Sequence, residues 1–147
     1  MTDLLRRRPV AVALIAGIVG LSMATAYVHF TLGSTASIMG LLFLANAAGF
    51  FVLAGAVAAV NVARHRLVQR FAWLPRLALA GFTALTIAGY LVMGPYFTLG
   101  WITKVIELGI LALLALDVIR VYGSPANFVR SALASLRRRP ESASASA

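Results

Sequence analysis

One carboxylate lies in the middle of a long, largely apolar stretch of this sequence. Glu107 falls within residues 99–121, a run long enough to cross a bilayer, since a span needs about 20 apolar residues. A charged side chain at that depth costs roughly 2.5 kcal/mol or more unless it has a partner or reaches a wet cavity. Lys104, three residues earlier on the helix, can form an ion pair with it. Glu107 is therefore a candidate functional residue, with a structural ion pair as the alternative.

Hydroxyl and aromatic side chains recur at helical spacing on two other apolar runs. Ser22, Thr25 and His29 are spaced i, i+3, i+7 and share one helix face. The same spacing recurs further along the chain at Thr83, Thr86 and Tyr90. Taken singly, each hydroxyl is expected to bond a carbonyl of its own helix, and His29 to act as an interfacial anchor. Because the two polar faces lie at the same depth in the predicted helices, they favour a single site formed by both.

Ser22, Asn46, Thr86 and Glu107 lie at similar depth in their runs, whereas His29, Tyr90 and Lys104 are shallower. At 1.5 Å per residue, Asn46 and Glu107 each lie about 12 Å below the outer ends of their helices. The inner halves of the runs are almost wholly apolar, and such a one-sided arrangement favours a binding site over a pore. We therefore predict an outward-facing polar pocket over an apolar floor. Its candidate residues are Glu107, Lys104, Asn46, His29, Ser22, Thr25, Thr86 and Tyr90.

The composition predicts an integral membrane protein. Hydrophobic residues make up 61% of the 147 and charged residues 12%, with a mean hydropathy of +0.92; a soluble domain is about half apolar and a quarter charged. The predicted fold class is an all-α four-helix bundle, with helices at about 9–31, 37–61, 75–93 and 99–122 within one domain, 1–123. Small residues spaced four apart favour close packing inside this bundle, with a homo-oligomer seam as the alternative.

The positive charges predict the orientation in the membrane. The net charge is +9, and all twelve arginines lie before the first run, between the second and third, or from the end of the fourth onward. The other two loops carry none, so both termini are predicted to be cytoplasmic, with Trp73 and Tyr122 at the inner boundary. Partners of these arginines would be anionic lipid headgroups, and no nucleic acid is expected. The predicted location is the plasma membrane, with several passes.

Both ends of the chain carry further predictions. Residues 124–139 form a predicted amphipathic helix on the cytoplasmic membrane surface, beginning at Ser124 and a first-turn proline, and 140–147 form a disordered tail. Arg6–Arg8, an apolar run and Ala24-Thr25-Ala26 also match a cleaved signal peptide. The apolar run continues through that site to Phe30, which favours an uncleaved first span.

The residue types restrict the chemistry. The chain has no cysteine, which excludes disulfides and thiolate metal sites, and only one histidine on a predicted span, where membrane-embedded haem needs histidine pairs. No nucleophile–base pair, metal cluster or phosphate loop is visible, so we expect no catalytic residue, cofactor or metal. The sequence favours a non-enzymatic accessory or binding protein that holds a small ligand or a partner membrane protein. The alternative is an oligomeric solute or proton-coupled transporter that uses Glu107, and an enzyme that uses His29 and Glu107 for acid–base chemistry comes third.

Overall fold

A computed structural model describes residues 8–63, 65–94 and 96–137, which form six α-helices and no strand. The helices are α1 (Arg8–Leu32), α2 (Ile38–Val62), α3 (Arg66–Arg70), α4 (Trp73–Met93), α5 (Thr98–Tyr122) and α6 (Pro125–Arg137). The all-helical prediction is confirmed for this part of the chain. The predicted tail at 140–147, the last two residues of the predicted helix 124–139, and the start of the predicted domain 1–123 lie outside the described residues.

Three of the described helices are long and apolar enough to cross a membrane. They are α1, α2 and α4, with mean hydropathies of 2.0, 2.1 and 1.5 over their most apolar segments. These lengths and compositions indicate a membrane protein. Helix α5 has 25 residues but also carries Lys104, Glu107, Asp117 and Arg120.

Short polar residues begin two of the helices. Ser37 precedes α2 in an extended conformation, and its side chain accepts a hydrogen bond from the Gly40 amide. The Ser124 hydroxyl accepts from the Asn127 amide in the same way and starts α6. Both serines satisfy backbone donors that a helix N-terminus leaves free. Gly123, with φ of 80°, ends α5 in a conformation that favours glycine and turns the chain into α6.

The four long helices form a ring. Helix α1 packs against α2 and α5, and α4 packs against the same two neighbours from the opposite side. We call the end of the ring that holds Arg8 and Tyr122 its inner end, and the end that holds Leu32 and Met93 its outer end. The shared core consists of buried apolar side chains that belong mostly to the inner halves of the helices: Ile18, Phe50, Val57, Leu79, Ile110 and Leu114. Close packing of this kind associates helices where lipid removes the hydrophobic driving force.

Glycines set the register between α1 and α5. A methyl group at Gly17 would lie 2.9 Å from Leu113 Cδ1, and one at Gly109 would lie 3.1 Å from Leu21 Cδ1. The two helices therefore run antiparallel and close together. In this register Glu107 is level with the turn of α1 between Ser22 and Thr25.

Helix α6 is attached to the inner end of the ring by specific hydrogen bonds. The Trp73 indole donates to Ser135 Oγ at 2.8 Å, and Arg70 donates to the Ser135 carbonyl through both Nε and Nη2. Trp73, predicted at the inner boundary, begins α4 and is only 8% exposed. The reason is that α6 covers it and supplies the acceptor that a buried indole N–H requires.

Candidate functional site

A cavity of about 320 Å³ lies between the four long helices in their outer halves. It extends from the level of Phe82 to the helix ends at Leu32, Met39 and Gly94. Its walls are mostly apolar, and its polar side chains come from all four long helices: His29, Asn46, Thr86, Tyr90, Thr103 and Lys104. A mostly apolar cavity with a few convergent polar groups is the usual form of a small-molecule site.

Lys104 and Glu107 form an ion pair at the wall of this cavity. Lys104 Nζ lies 2.5 Å from Glu107 Oε2, and the Thr86 hydroxyl donates to the same oxygen at 3.1 Å. Glu107 is fully buried, whereas Lys104 lines the cavity. Lys104 Nζ also lies 5.4 Å from the centre of the Tyr90 ring, a favourable position for a cation over an aromatic face. The pair therefore presents its ammonium, and not its carboxylate, to the cavity.

Three buried polar atoms behind Lys104 make no hydrogen bond with the described residues. They are Ser22 Oγ, Thr25 Oγ1 and Glu107 Oε1. Thr25 faces Glu107, although the two side chains do not reach hydrogen-bond geometry. Buried polar atoms are nearly always satisfied by protein or by ordered water. The register of α1 against α5 places both hydroxyls level with the Glu107 carboxylate.

The other candidate hydroxyls are bonded to their own helices. Thr83 donates to the Leu79 carbonyl, and Thr103 donates to the Leu99 carbonyl. Thr86 contacts both the Thr83 carbonyl and Glu107. The expectation that a hydroxyl side chain bonds a carbonyl of its own helix therefore holds for Thr83 and Thr103, but not for Ser22 and Thr25.

The remaining predicted residues, His29, Asn46 and Tyr90, also line the cavity. His29 Nδ1 bonds the Thr25 carbonyl at 2.8 Å, which leaves Nε2 as the other ring nitrogen. The Asn46 side chain lines the cavity and forms no hydrogen bond within the described ranges. The Tyr90 hydroxyl donates to the Phe97 carbonyl, and its ring packs edge-on against Tyr96 and Trp101.

The structure thus separates the eight predicted residues into two layers. Five line the cavity itself: His29, Asn46, Thr86, Tyr90 and Lys104. Three lie fully buried behind it: Ser22, Thr25 and Glu107. The prediction of an apolar floor did not name its residues; there the Phe82 ring packs against Gly49 and edge-on against Phe50 with centroids 5.1 Å apart. The Gly49–Phe82 contact joins residues 33 apart, and their spacing along the chain gives no signal for it.

A second polar cluster closes the inner end of the ring. Asp117 is fully buried and accepts from Arg76 Nε at 2.7 Å and from Arg120 Nε at 2.8 Å. Asn61 Oδ1 accepts from both guanidinium groups at 3.1 Å. The Asp117–Arg120 pair has the spacing expected on one helix. The expectation that Arg76 would meet lipid headgroups is wrong, because its guanidinium is buried against Asp117.

The described residues contain no group of three histidine, cysteine or acidic side chains that could hold a metal ion. Comparisons with protein-family models, with curated proteins and with solved structures give no match to this chain. The geometry of the cavity can supply hydrogen bonds and a buried ammonium to a ligand.

Proposed function

We propose that this chain is a four-helix protein of the plasma membrane with both termini on the cytoplasmic side. The distribution of side chains on α5 supports a fourth span. Lys104, Glu107 and Asp117 face inward and are at most 6% exposed, whereas Val105 and Leu108 face outward. Charged residues within spans typically face the bundle interior in this way.

Reporter fusions test this topology. A periplasm-active reporter fused after Gly33 or Gly94 is expected to give signal, because these turns follow inside-to-outside spans in the proposed orientation. Fusions after Arg66 or at the C-terminus are the matched controls and should be silent. Signal from the C-terminal fusion would reverse the assignment.

We further propose that the protein binds a small polar or amphipathic ligand in the outer cavity. The observation that carries this proposal is the position of Lys104, a cationic residue that lines an otherwise largely apolar cavity. Its neighbours Asn46 and His29 add hydrogen-bonding groups that the protein itself does not fully use. Unused polar groups around an enclosed space are what a ligand of matching chemistry would satisfy.

The inner half of the ring supports binding in preference to transport. Phe50 and Phe82 stand at the floor of the cavity, and the buried core beneath it is apolar as far as the Asp117 cluster. A carrier that moved a solute across would need polar groups or water along that path. A binding or accessory role needs only the outer cavity.

Helix α6 is proposed to contact anionic lipid headgroups on the cytoplasmic side. Val129, Leu133 and Leu136 are exposed on this helix, with Arg130 and Arg137 beside them. An exposed apolar face flanked by arginines is typical of a helix that lies in the membrane interface.

A variant that fills the cavity tests ligand binding. Gly89 lines the cavity, and a Cβ at this position would meet no atom within 4 Å, so Gly89→Leu adds bulk without a backbone clash. Wild-type protein purified in mild detergent is expected to retain a small molecule detectable by native mass spectrometry, and Gly89→Leu is expected to lose it.

Gly81→Leu is the matched control for this experiment. Gly81 lies on the same helix, is equally free of neighbours and does not line the cavity. Both substitutions raise helix propensity equally, so a difference between them reports on the cavity. Equal retention in Gly89→Leu and Gly81→Leu would contradict the proposed site.

A further inference from the structure

The cavity has an opening toward the lipid as well as toward the outer surface. Two of its lining residues, Leu42 on α2 and Leu85 on α4, are also 49% and 69% exposed. Leu85 lies eight residues before Met93, or about 12 Å below the outer end of α4. The gap between α2 and α4 therefore opens at a depth where the surroundings are hydrocarbon.

The charge inside the cavity wall is already balanced. Lys104 and Glu107 neutralise each other at 2.5 Å, and the remaining lining residues are His29 and uncharged side chains. A ligand that brought a net charge into this space would be a buried ion without a counter-ion, which is strongly unfavourable. The cavity therefore favours an uncharged head group.

The cavity still offers both donors and acceptors. Lys104 Nζ has three N–H groups. One donates to Glu107, and Nζ also makes a long contact of 3.5 Å with the Thr86 carbonyl. His29 Nδ1 bonds a carbonyl, which only accepts, so Nε2 of the neutral ring is an acceptor. The Asn46 amide supplies one group of each kind. A head group with hydroxyl and carbonyl oxygens matches this set.

We propose that the cavity binds a single-chain lipid with an uncharged, hydroxyl-bearing head, which enters sideways from the outer leaflet. The head lies between Lys104, His29 and Asn46, and the acyl chain leaves between Leu42 and Leu85. The volume of about 320 Å³ corresponds to roughly ten water molecules, enough for a head group and the first part of one chain. This inference rests on the proposed binding function and names the class of its ligand.

Photo-crosslinking in vesicles tests the inference. The full-length protein is reconstituted in phosphatidylcholine vesicles with a monoacylglycerol that carries a diazirine near the glycerol end of its chain. Mass spectrometry of the irradiated protein should place the crosslinks at the mouth, around Leu42 and Leu85. Excess unlabelled monoacylglycerol should suppress this labelling, and lysophosphatidic acid of the same chain length, which is charged, should not.

Two variants and a control test whether the lipid enters the cavity between Leu42 and Leu85. Gly89→Leu should reduce labelling at the mouth by about tenfold, because its side chain occupies the space, while Gly81→Leu should label as wild type does. Leu85→Trp narrows the mouth at an exposed position where folding is little affected. If Gly89→Leu fails to fold, Leu85→Trp replaces it in the experiment, and the same loss of labelling is expected at Leu42.

The outcomes separate this inference from the proposed function. Labelling spread evenly over the lipid-facing helices, or suppressed equally by lysophosphatidic acid, would overturn the lipid assignment. If purified protein instead retains a chainless polar solute that Gly89→Leu displaces, the ligand class is wrong and the binding function stands. If nothing is retained and Gly89→Leu labels as wild type does, both are wrong.

Discussion

Asp117→Asn is expected to lower the free energy of unfolding by about 3 to 5 kcal/mol, which is the cost of breaking a buried ion pair from one side. The carboxylate is fully buried and accepts hydrogen bonds from Arg76 and Arg120. An asparagine keeps the shape but leaves two guanidinium groups facing each other without a counter-ion. Unfolding followed by circular dichroism in mixed micelles of increasing sodium dodecyl sulfate fraction measures the change.

Substitution of each arginine alone ranks the contributions of the two ion pairs in this cluster to the stability of the protein. Arg76 is 3% exposed and Arg120 is 15% exposed, so Arg76→Gln should destabilise the protein more than Arg120→Gln. Each should cost less than Asp117→Asn, because Asp117 then keeps one cation. A loss below about 1 kcal/mol for Asp117→Asn, the range of exposed ion pairs, would show that the guanidinium groups reach water or headgroups.

The second large effect is expected at the outer ion pair. Lys104→Met removes the ammonium that neutralises Glu107 and leaves a fully buried carboxylate with the Thr86 hydroxyl as its hydrogen-bond donor. We expect a loss of about 3 kcal/mol, again because one member of a buried pair is left alone. The same detergent unfolding series measures it, and retention of the cavity ligand should fall in parallel.

A double-mutant cycle distinguishes a structural pair from two independent residues. Lys104→Met/Glu107→Gln removes both charges and should recover at least half of the stability lost in Lys104→Met. Glu107→Gln alone should cost less than Lys104→Met, since Lys104 lines the cavity and its ammonium can turn toward it. Strictly additive effects would rule out coupling between the two side chains. Normal stability and normal binding in Glu107→Gln would make Glu107 a tolerated residue with no role in either.

The positions of the long helices could be predicted because each depends on local sequence. A run of apolar residues of bilayer length, bounded by a serine or a glycine, determines where a helix begins and ends. Residues 37–61 were predicted for the second helix and Ile38–Val62 are observed, since Ser37 serves as the cap. Helix α4, the third of the four predicted spans, begins at Trp73, two residues before the predicted start at Pro75, because proline is tolerated in a first turn.

Contacts between distant residues could not be predicted in the same way. The Asp117–Arg120 pair follows from i, i+3 spacing, but Arg76 reaches Asp117 across 41 residues and depends on how α4 packs against α5. The common depth of Ser22, Thr25 and Glu107 was predictable from helical rise. Side-chain rotamers decide which hydroxyls bond the helix backbone and which remain unbonded, and the sequence pattern does not specify rotamers.

The Asp117 cluster also fixes the inner end of α4 against its neighbours, whereas nothing comparable joins α2 and α4 at their outer ends among the described residues. It ties α2, α4 and α5 together at the inner end, through Asn61, Arg76 and Asp117, while the outer halves of α2 and α4 meet around a cavity. Met93 lies 17 residues beyond Arg76 along α4, or about 25 Å. A rigid tilt of α4 by about 5° around the Arg76 pivot would carry its outer tip about 2 Å sideways at that helical rise. Such a tilt would separate the outer ends of α2 and α4 and widen the cavity between them.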